Sequence, residues 1–252
     1  MSQESRQVYP DADALAKGAA MELLHLAQQS VAEHGIFTLA LAGGSTPRKL
    51  YTLLGSDPDF RDFPWHETHL FFGDERAVPP SHLDSNYLMV STTLLASGLV
   101  PAAHVHRVRA ELPDANMAAL DYDVEVHSFF TPGMRLNGLP RFDAILLGMG
   151  PDGHTASLFP GSKALEEKDR WVVANWVEKF KSTRITFTFP VLNAARNVLL
   201  LVAGEDKTEM LREVLVTHRN DVLYPVQQVQ PVDGAKIWLL DRAAAARLPR
   251  LL

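Results

Sequence analysis

Four short stretches of this sequence gather side chains that could do chemistry together. "GMGPDGHTASLFPG", residues 148–161, presents Asp152 and His154 two positions apart, between glycines. An imidazole is the side chain most readily poised as a general base near neutral pH, and a neighbouring carboxylate can orient it. "GDER", residues 73–76, offers Asp74 to bind hydroxyls or to hold an arginine, and Arg76 to stabilise developing negative charge. "AGGSTP", residues 42–47, puts Gly43, Gly44, Ser45 and Thr46 ahead of a helical pattern whose first turn suits Pro47. Its amides read either as a phosphate cradle at a helix N-terminus or as a tight turn capped by Ser45 or Thr46. "GEDK", residues 204–207, carries Lys207 into a helix's first turn, where a cation opposes the dipole unless an anion is close. Arg184, in "KFKSTRIT", is a further candidate cation, with a planar fork suited to phosphate. Taken singly, these residues also read as a salt-bridged turn or as solvated surface charges.

The elements that must position them follow from hydrophobic patterning. The polar clusters at 43–47, 73–76, 148–154 and 204–207 each follow an apolar run: "IFTLALA", "THLFF", "FDAILLG" and "NVLLLVA". Such runs read as strands buried on both faces. "HVHRV" and "KIWLLD" add further strands. Helical patterns intervene: Leu15, Ala19, Leu23, Leu26 and Ala27, with Asp11 or Asp13 as cap and Gly35 as stop, then "TPRKLYTLL", "SNYLMVSTTLL", 114–130 and 207–216. The alternation predicts an α/β fold with a mostly parallel sheet between helical layers, as a single domain over residues 1–252. Ligands bind beyond the carboxyl ends of strands in such sheets, so the four clusters are expected at one edge. "RWVVANWV" and "RITFTFP", joined by "EKFKST", read as further members of that sheet or as an antiparallel hairpin in a subsidiary one.

Residues 148–153 match GxGxxG, the glycine fingerprint of dinucleotide-binding folds. That fingerprint needs a full-length helix from its third glycine and an acid roughly 20 residues on. Pro160-Gly161 interrupts too soon for the helix, and Asn175 and Trp176 stand where the acid is sought. A nicotinamide cofactor is therefore not expected. His66 and His69 lack the HExxH spacing, and His104 and His106 alternate along a strand without a third ligand, so both pairs read as structural and no metal is expected.

A net charge of -6 leaves no basic face for nucleic acid. The absence of cysteine excludes disulfides, zinc-thiolate sites and thiol nucleophiles. The N-terminus is polar and acidic, unlike a secretory signal, and the apolar runs are too short to span a bilayer. A cytoplasmic protein with no membrane partner is expected.

"LAGGSTPRKLY", "FFGDERAVPPSHLDSNY", "GMGPDGHTASLFPG" and the "GEDK" lysine, in this order, resemble the 6-phosphogluconolactonase family, over about residues 10–245. The resemblance implies a Rossmann-like three-layer α/β sandwich and hydrolysis of 6-phospho-D-glucono-1,5-lactone to 6-phosphogluconate, the second step of the oxidative pentose phosphate pathway. It implies catalysis without a redox cofactor or metal; a monomer or weak homodimer is expected. It also implies that Gly43, Gly44, Ser45 and Thr46 form a phosphate loop, assisted by Arg184 and Lys207. His154 would activate water beside Asp152, and Arg76 would contact substrate near Asp74. Glucosamine-6-phosphate isomerase/deaminase is similar in its GGSTP loop and Asp-Gly-His turn. That enzyme looks to need a glutamate five residues after the histidine, where this sequence has Phe159. A non-catalytic sugar-phosphate sensor is a third reading, although no basic, DNA-binding segment precedes the first helix.

Overall fold

The computed structural model describes residues 3–217 and 219–249. In chain order its first half runs β1 (Gln3–Tyr9), α1 (Ala12–His34), β2 (Phe37–Leu41), α2 (Ser45–Ser56), β3 (Thr68–Phe72), β4 (Asp74–Arg76), α3 (Asn86–Thr92), β5 (Val105–His106) and α4 (Ala115–Phe129). The rest runs β6 (Arg135–Leu136), β7 (Leu139–Pro140), β8 (Ala144–Gly148), β9 (Val172–Val177), β10 (Ser182–Phe187), α5 (Phe189–Ala194), β11 (Asn197–Val202), α6 (Thr208–Val216) and β12 (Ala235–Asp241).

Seven strands form one parallel sheet in the order β1-β12-β11-β8-β2-β3-β5, and helices surround it in a three-layer α/β fold. The apolar runs become its central members. Every residue of β2 is buried, as are Ala144–Leu147 of β8 and 198–202 of β11. Burial on both faces is what a parallel strand under two helical layers requires. Helix α1 starts where Asp11 accepts hydrogen bonds from the amides of Asp13 and Ala14, and stops at Gly35, which takes a left-handed φ of 80°. Asp11, not Asp13, is the cap.

The edges differ from the sequence reading. β1 pairs with β12 over Gln3–Tyr9, although its residues are largely exposed and polar. Its strand conformation comes from the β12 ladder, not from an apolar pattern. "HVHRV" shrinks to the two residues of β5, preceded by a 3-10 turn at Ala102–His104. "RITFTFP" ends at Phe187, and Phe189-Pro190 opens α5.

The hairpin alternative holds for residues 172–187. β9 and β10 pair antiparallel, and β10 also pairs with β4, giving a separate three-stranded sheet β4-β10-β9. "GDER" is thus a strand of this second sheet, not a loop. The amide of Phe187 donates to the carbonyl of Gly73 at 2.9 Å, and its ring packs on Phe142 and Tyr122. This apolar contact docks the small sheet where β3 ends. The order reverses between β2, whose chain continues to β3 on one side, and β8 on the other. Loops leaving β2 and β8 therefore diverge and open a crevice at their carboxyl ends.

Candidate active site

Two buried tyrosines fix the backbone from which the site is built. The Tyr51 hydroxyl of α2 accepts from the amide of Ala42 and donates to its carbonyl, at 2.9 Å each. The Tyr122 hydroxyl of α4 does the same at Phe72, at 2.8 and 3.2 Å. Burial pushes both phenols far above their ordinary pKa, so they stay protonated donors. Each tyrosine satisfies a backbone pair just past or at a strand end, where the ladder no longer does.

Beyond Ala42, the chain turns through Gly43 and Gly44 into α2. A Cβ on Gly43 would stand 2.1 Å from Oδ1 of Asn86, so only glycine lets α3 approach this closely. Gly44 adopts φ 109° and is itself the N-cap, and no side chain caps α2. Neither Ser45 nor Thr46 caps the helix, contrary to one of the two readings of this loop. The first amides of α2 are left to an external acceptor, which favours the cradle reading.

Beyond Phe72, β4 carries Asp74, Glu75 and Arg76. Asp74 accepts from Nδ2 of Asn86 at 3.3 Å and from the hydroxyl of Ser157 at 2.6 Å, which holds its carboxylate between two loops. Glu75 is buried and accepts from the amides of Arg76, Asn86 and Tyr87 at 2.7–2.8 Å. Its burial pushes its pKa up while those bonds oppose the rise. Glu75 thus ties β4 to the start of α3, leaving Arg76 on the other face of the strand to donate to the carbonyl of Asp84.

Beyond β8 lies the Asp-Gly-His turn. Gly153 takes φ 76°, the left-handed conformation that turns the chain back, and no helix follows it. Gly150 donates to the carbonyl of His154 at 2.8 Å, and Gly153 to that of Gly150 at 3.1 Å. Within this closed turn Nδ1 of His154 lies 2.5 Å from Oδ1 of Asp152. Burial acts to raise the Asp152 pKa, but hydrogen bonds from His154 and Lys179 outweigh it and hold the carboxyl well below the usual range. An ionised carboxylate only accepts, so Nδ1 carries the proton and Nε2 offers its lone pair. The imidazole face stacks on Phe159 with centroids 3.9 Å apart.

These loops enclose a cavity of about 260 Å³ at the β2–β8 crevice, lined by Gly43, Gly44, Asp74, Arg76, His154 and Lys207. Six of the ten residues singled out from the sequence therefore share one cavity. Ser45 and Thr46 follow in the first turn of α2, and Asp152 stands behind His154. Arg184 is not part of that lining. It sits on β10 directly across from Arg76, with its guanidinium 5.4 Å over the Phe180 ring. Burial first, and the Arg76 charge second, lower the Arg184 pKa, and its buried Nε has no hydrogen-bond partner among the described residues. Two adjacent guanidiniums that repel each other are stabilised by an anion. A larger cleft of about 840 Å³ lies across Asp152, against Trp176 and Lys179. It contains no other residue of the candidate set.

Lys179, Asn86, Ser157 and Tyr51 were not distinguished in the sequence. Only Tyr51 carried a signal, a large polar-tipped residue on the apolar side of "RKLYTLL". Of the histidines that read as structural, His69 lies on β3 and His106 on β5, and His66 and His104 lie in the 3-10 turns that precede them; His69 stacks on His104, and its Nδ1 is 3.0 Å from Nε2 of His106. Burial and the neighbouring imidazoles push His69 down to about 4.

The pattern of the family described as glucosamine-6-phosphate isomerases/6-phosphogluconolactonase matches residues 10–238. A 6-phosphogluconolactonase of Nostoc sp. is 39% identical over 244 residues, covering 96% of this chain and 97% of that protein. One from Synechocystis sp. is 40% identical over 220 residues, covering 87% and 88%. The solved structure of 6-phosphogluconolactonase from Trypanosoma cruzi superposes with a TM-score of 0.84 at 29% identity, covering 99% of each chain.

Proposed function

From the premise that this chain belongs to the glucosamine-6-phosphate isomerase/6-phosphogluconolactonase family, we infer that it works as a lactone hydrolase. It opens 6-phospho-D-glucono-1,5-lactone to 6-phospho-D-gluconate, the second step of the oxidative pentose phosphate pathway. One observation carries the assignment within the family: Phe159 stacks on His154 at the position where the isomerase/deaminase reading needs an acid. A phenyl ring cannot relay protons for sugar-ring opening. A lactone is already an activated ester and needs no such relay.

The reaction follows from the cavity. The phosphate docks on the uncapped amides at the start of α2, in the Gly43–Thr46 loop, with Lys207 and Arg184 supplying positive charge. Asp74, held by Asn86 and Ser157, accepts from sugar hydroxyls. This docking orients the lactone carbonyl toward His154. Nε2 of His154 takes a proton from water as the water oxygen attacks the carbonyl carbon. Asp152 stabilises the resulting imidazolium through Nδ1, and Arg76 stabilises the tetrahedral oxyanion. The oxyanion collapses, the ring C–O bond breaks, and the imidazolium returns its proton to the departing ring oxygen. No covalent intermediate, metal or redox cofactor takes part. The whole chain acts as one domain, as a cytoplasmic monomer or weak homodimer. Among the described residues no helix is long and apolar enough to cross a membrane.

Proton release from freshly generated 6-phosphogluconolactone, with and without protein, tests the assignment. A rate above spontaneous opening supports it. Ammonia release from glucosamine 6-phosphate would instead assign the deaminase, and binding without turnover would assign a sensor.

A further inference from the structure

We propose that Lys179 is a positioning residue for the hydrolysis, acting on His154 through Asp152. The proposal rests on the reading of His154 as the base. Lys179 belongs to the 3-10 turn Glu178–Phe180 that joins β9 to β10, so it comes from the small antiparallel sheet. Its Nζ reaches Oδ2 of Asp152 at 2.9 Å, while Oδ1 of the same carboxylate faces Nδ1 of His154. The neighbouring Glu178 is engaged by Lys181 and by the Trp176 indole, which leaves the Lys179 ammonium to Asp152.

The geometry assigns Lys179 a task that the Asp-Gly-His turn cannot do alone. Asp152 and His154 are two residues apart in one turn, and the turn reaches only Oδ1 of the carboxylate, through the His154 ring and a long 3.4 Å bond from the His154 amide. A second anchor on Oδ2, delivered from a different sheet, fixes the carboxylate plane and with it the imidazole plane. The ammonium also acts electrically. A carboxylate beside an imidazole favours the imidazolium, and a cation on the far side of that carboxylate draws the effect down. The other charged groups facing His154 are Asp74, Arg76 and Lys207 across the cavity, and Phe159 covers its ring face. None of these changes when Lys179 is replaced. The Lys179 side chain is about half exposed, so solvent screens its charge and its loss shifts the site rather than abolishing it.

Profiles of kcat and KM against pH for the full chain, with Lys179→Met, Lys179→Gln and Lys179→Arg, test the proposal. Lys179→Met is expected to lose about tenfold in kcat at neutral pH with KM nearly unchanged, and its acid limb should move up by roughly half a pH unit to one unit. Lys179→Gln keeps a donor without the charge, so it should recover kcat at high pH but retain the displaced limb. Lys179→Arg should restore both. An acid limb unmoved in both uncharged variants, or a loss confined to KM, overturns the role of Lys179. Should Lys179→Met fail to fold, the Lys179→Gln profile decides alone. Wild-type protein that does not accelerate lactone opening overturns the underlying reading instead, so the two failures are told apart.

Discussion

Gly150 and His154 close on each other at both backbone and side chain. The amide of Gly150 donates to the carbonyl of His154 at 2.8 Å, and a Cβ at position 150 would stand 2.0 Å from Nδ1 and Cε1 of the His154 ring. The imidazole occupies the space that every residue except glycine needs for its own side chain. The second glycine of "GMG" is thus explained by the catalytic ring rather than by a dinucleotide.

Gly150→Ala should therefore displace the His154 ring while leaving the phosphate-binding loop intact. The φ of Gly150 is not in the left-handed region, so the backbone tolerates alanine. Steady-state kinetics should show kcat reduced by about 10- to 100-fold with KM within a few-fold of wild type, the pattern of a misplaced base.

Replacing the base itself should be more severe. His154→Ala should lower kcat by about 10²- to 10⁴-fold, the usual contribution of a positioned acid–base group. The measurement is lactone opening corrected for the spontaneous rate. A variant as fast as wild type would remove His154 from the chemistry.

Tyr51→Phe removes a hydroxyl that serves both the amide and the carbonyl of Ala42. Two buried backbone groups lose their partner, at a cost of about 1–3 kcal/mol. In a chain of this size each kcal/mol corresponds to about 2–4 °C in Tm. Because Ala42 leads directly into Gly43 and Gly44, KM should rise as well, and thermal unfolding together with KM measures both effects.

The Asp152 carboxyl predicts a pH-dependent difference in stability. Burial opposes its ionisation, but His154 and Lys179 hold its folded pKa well below the ordinary value of 3.8. As pH falls through 3.8, the unfolded chain takes up this proton and the folded protein does not, so folding loses the benefit. Urea midpoints of wild type and Asp152→Asn should differ clearly at pH values above 3.8. The gap should narrow as the pH drops further toward the folded pKa. A gap that widens as the pH falls below 3.8 would contradict an ionised carboxylate held by His154 and Lys179.

The central strands and the candidate site were legible for local reasons. β2, β8 and β11 are apolar without alternation because both faces are covered, and a short polar cluster follows each one. Those clusters stand at carboxyl ends in any parallel arrangement, so Gly44, Asp74, His154 and Lys207 could be grouped before the strand order was known. The segment 3–9 gave no such signal, because its residues are polar and become a strand only by pairing with Ala235–Asp241 more than 200 positions away. β4 is too short for any periodicity and exists through its register with Arg184–Thr186.

What the residues alone determined is the chemistry available: an imidazole beside a carboxylate, an amide-rich turn, and cations without obvious partners. These depend on residue type and near neighbours, and composition and spacing carry both. Tertiary structure decided which of them meet. The reversal of strand order sets β2 against β8, and the small sheet delivers Lys179 to Asp152 and Arg184 to Arg76. Such contacts join segments far apart in the chain. They are fixed by ladder pairing and core packing, which no local pattern encodes.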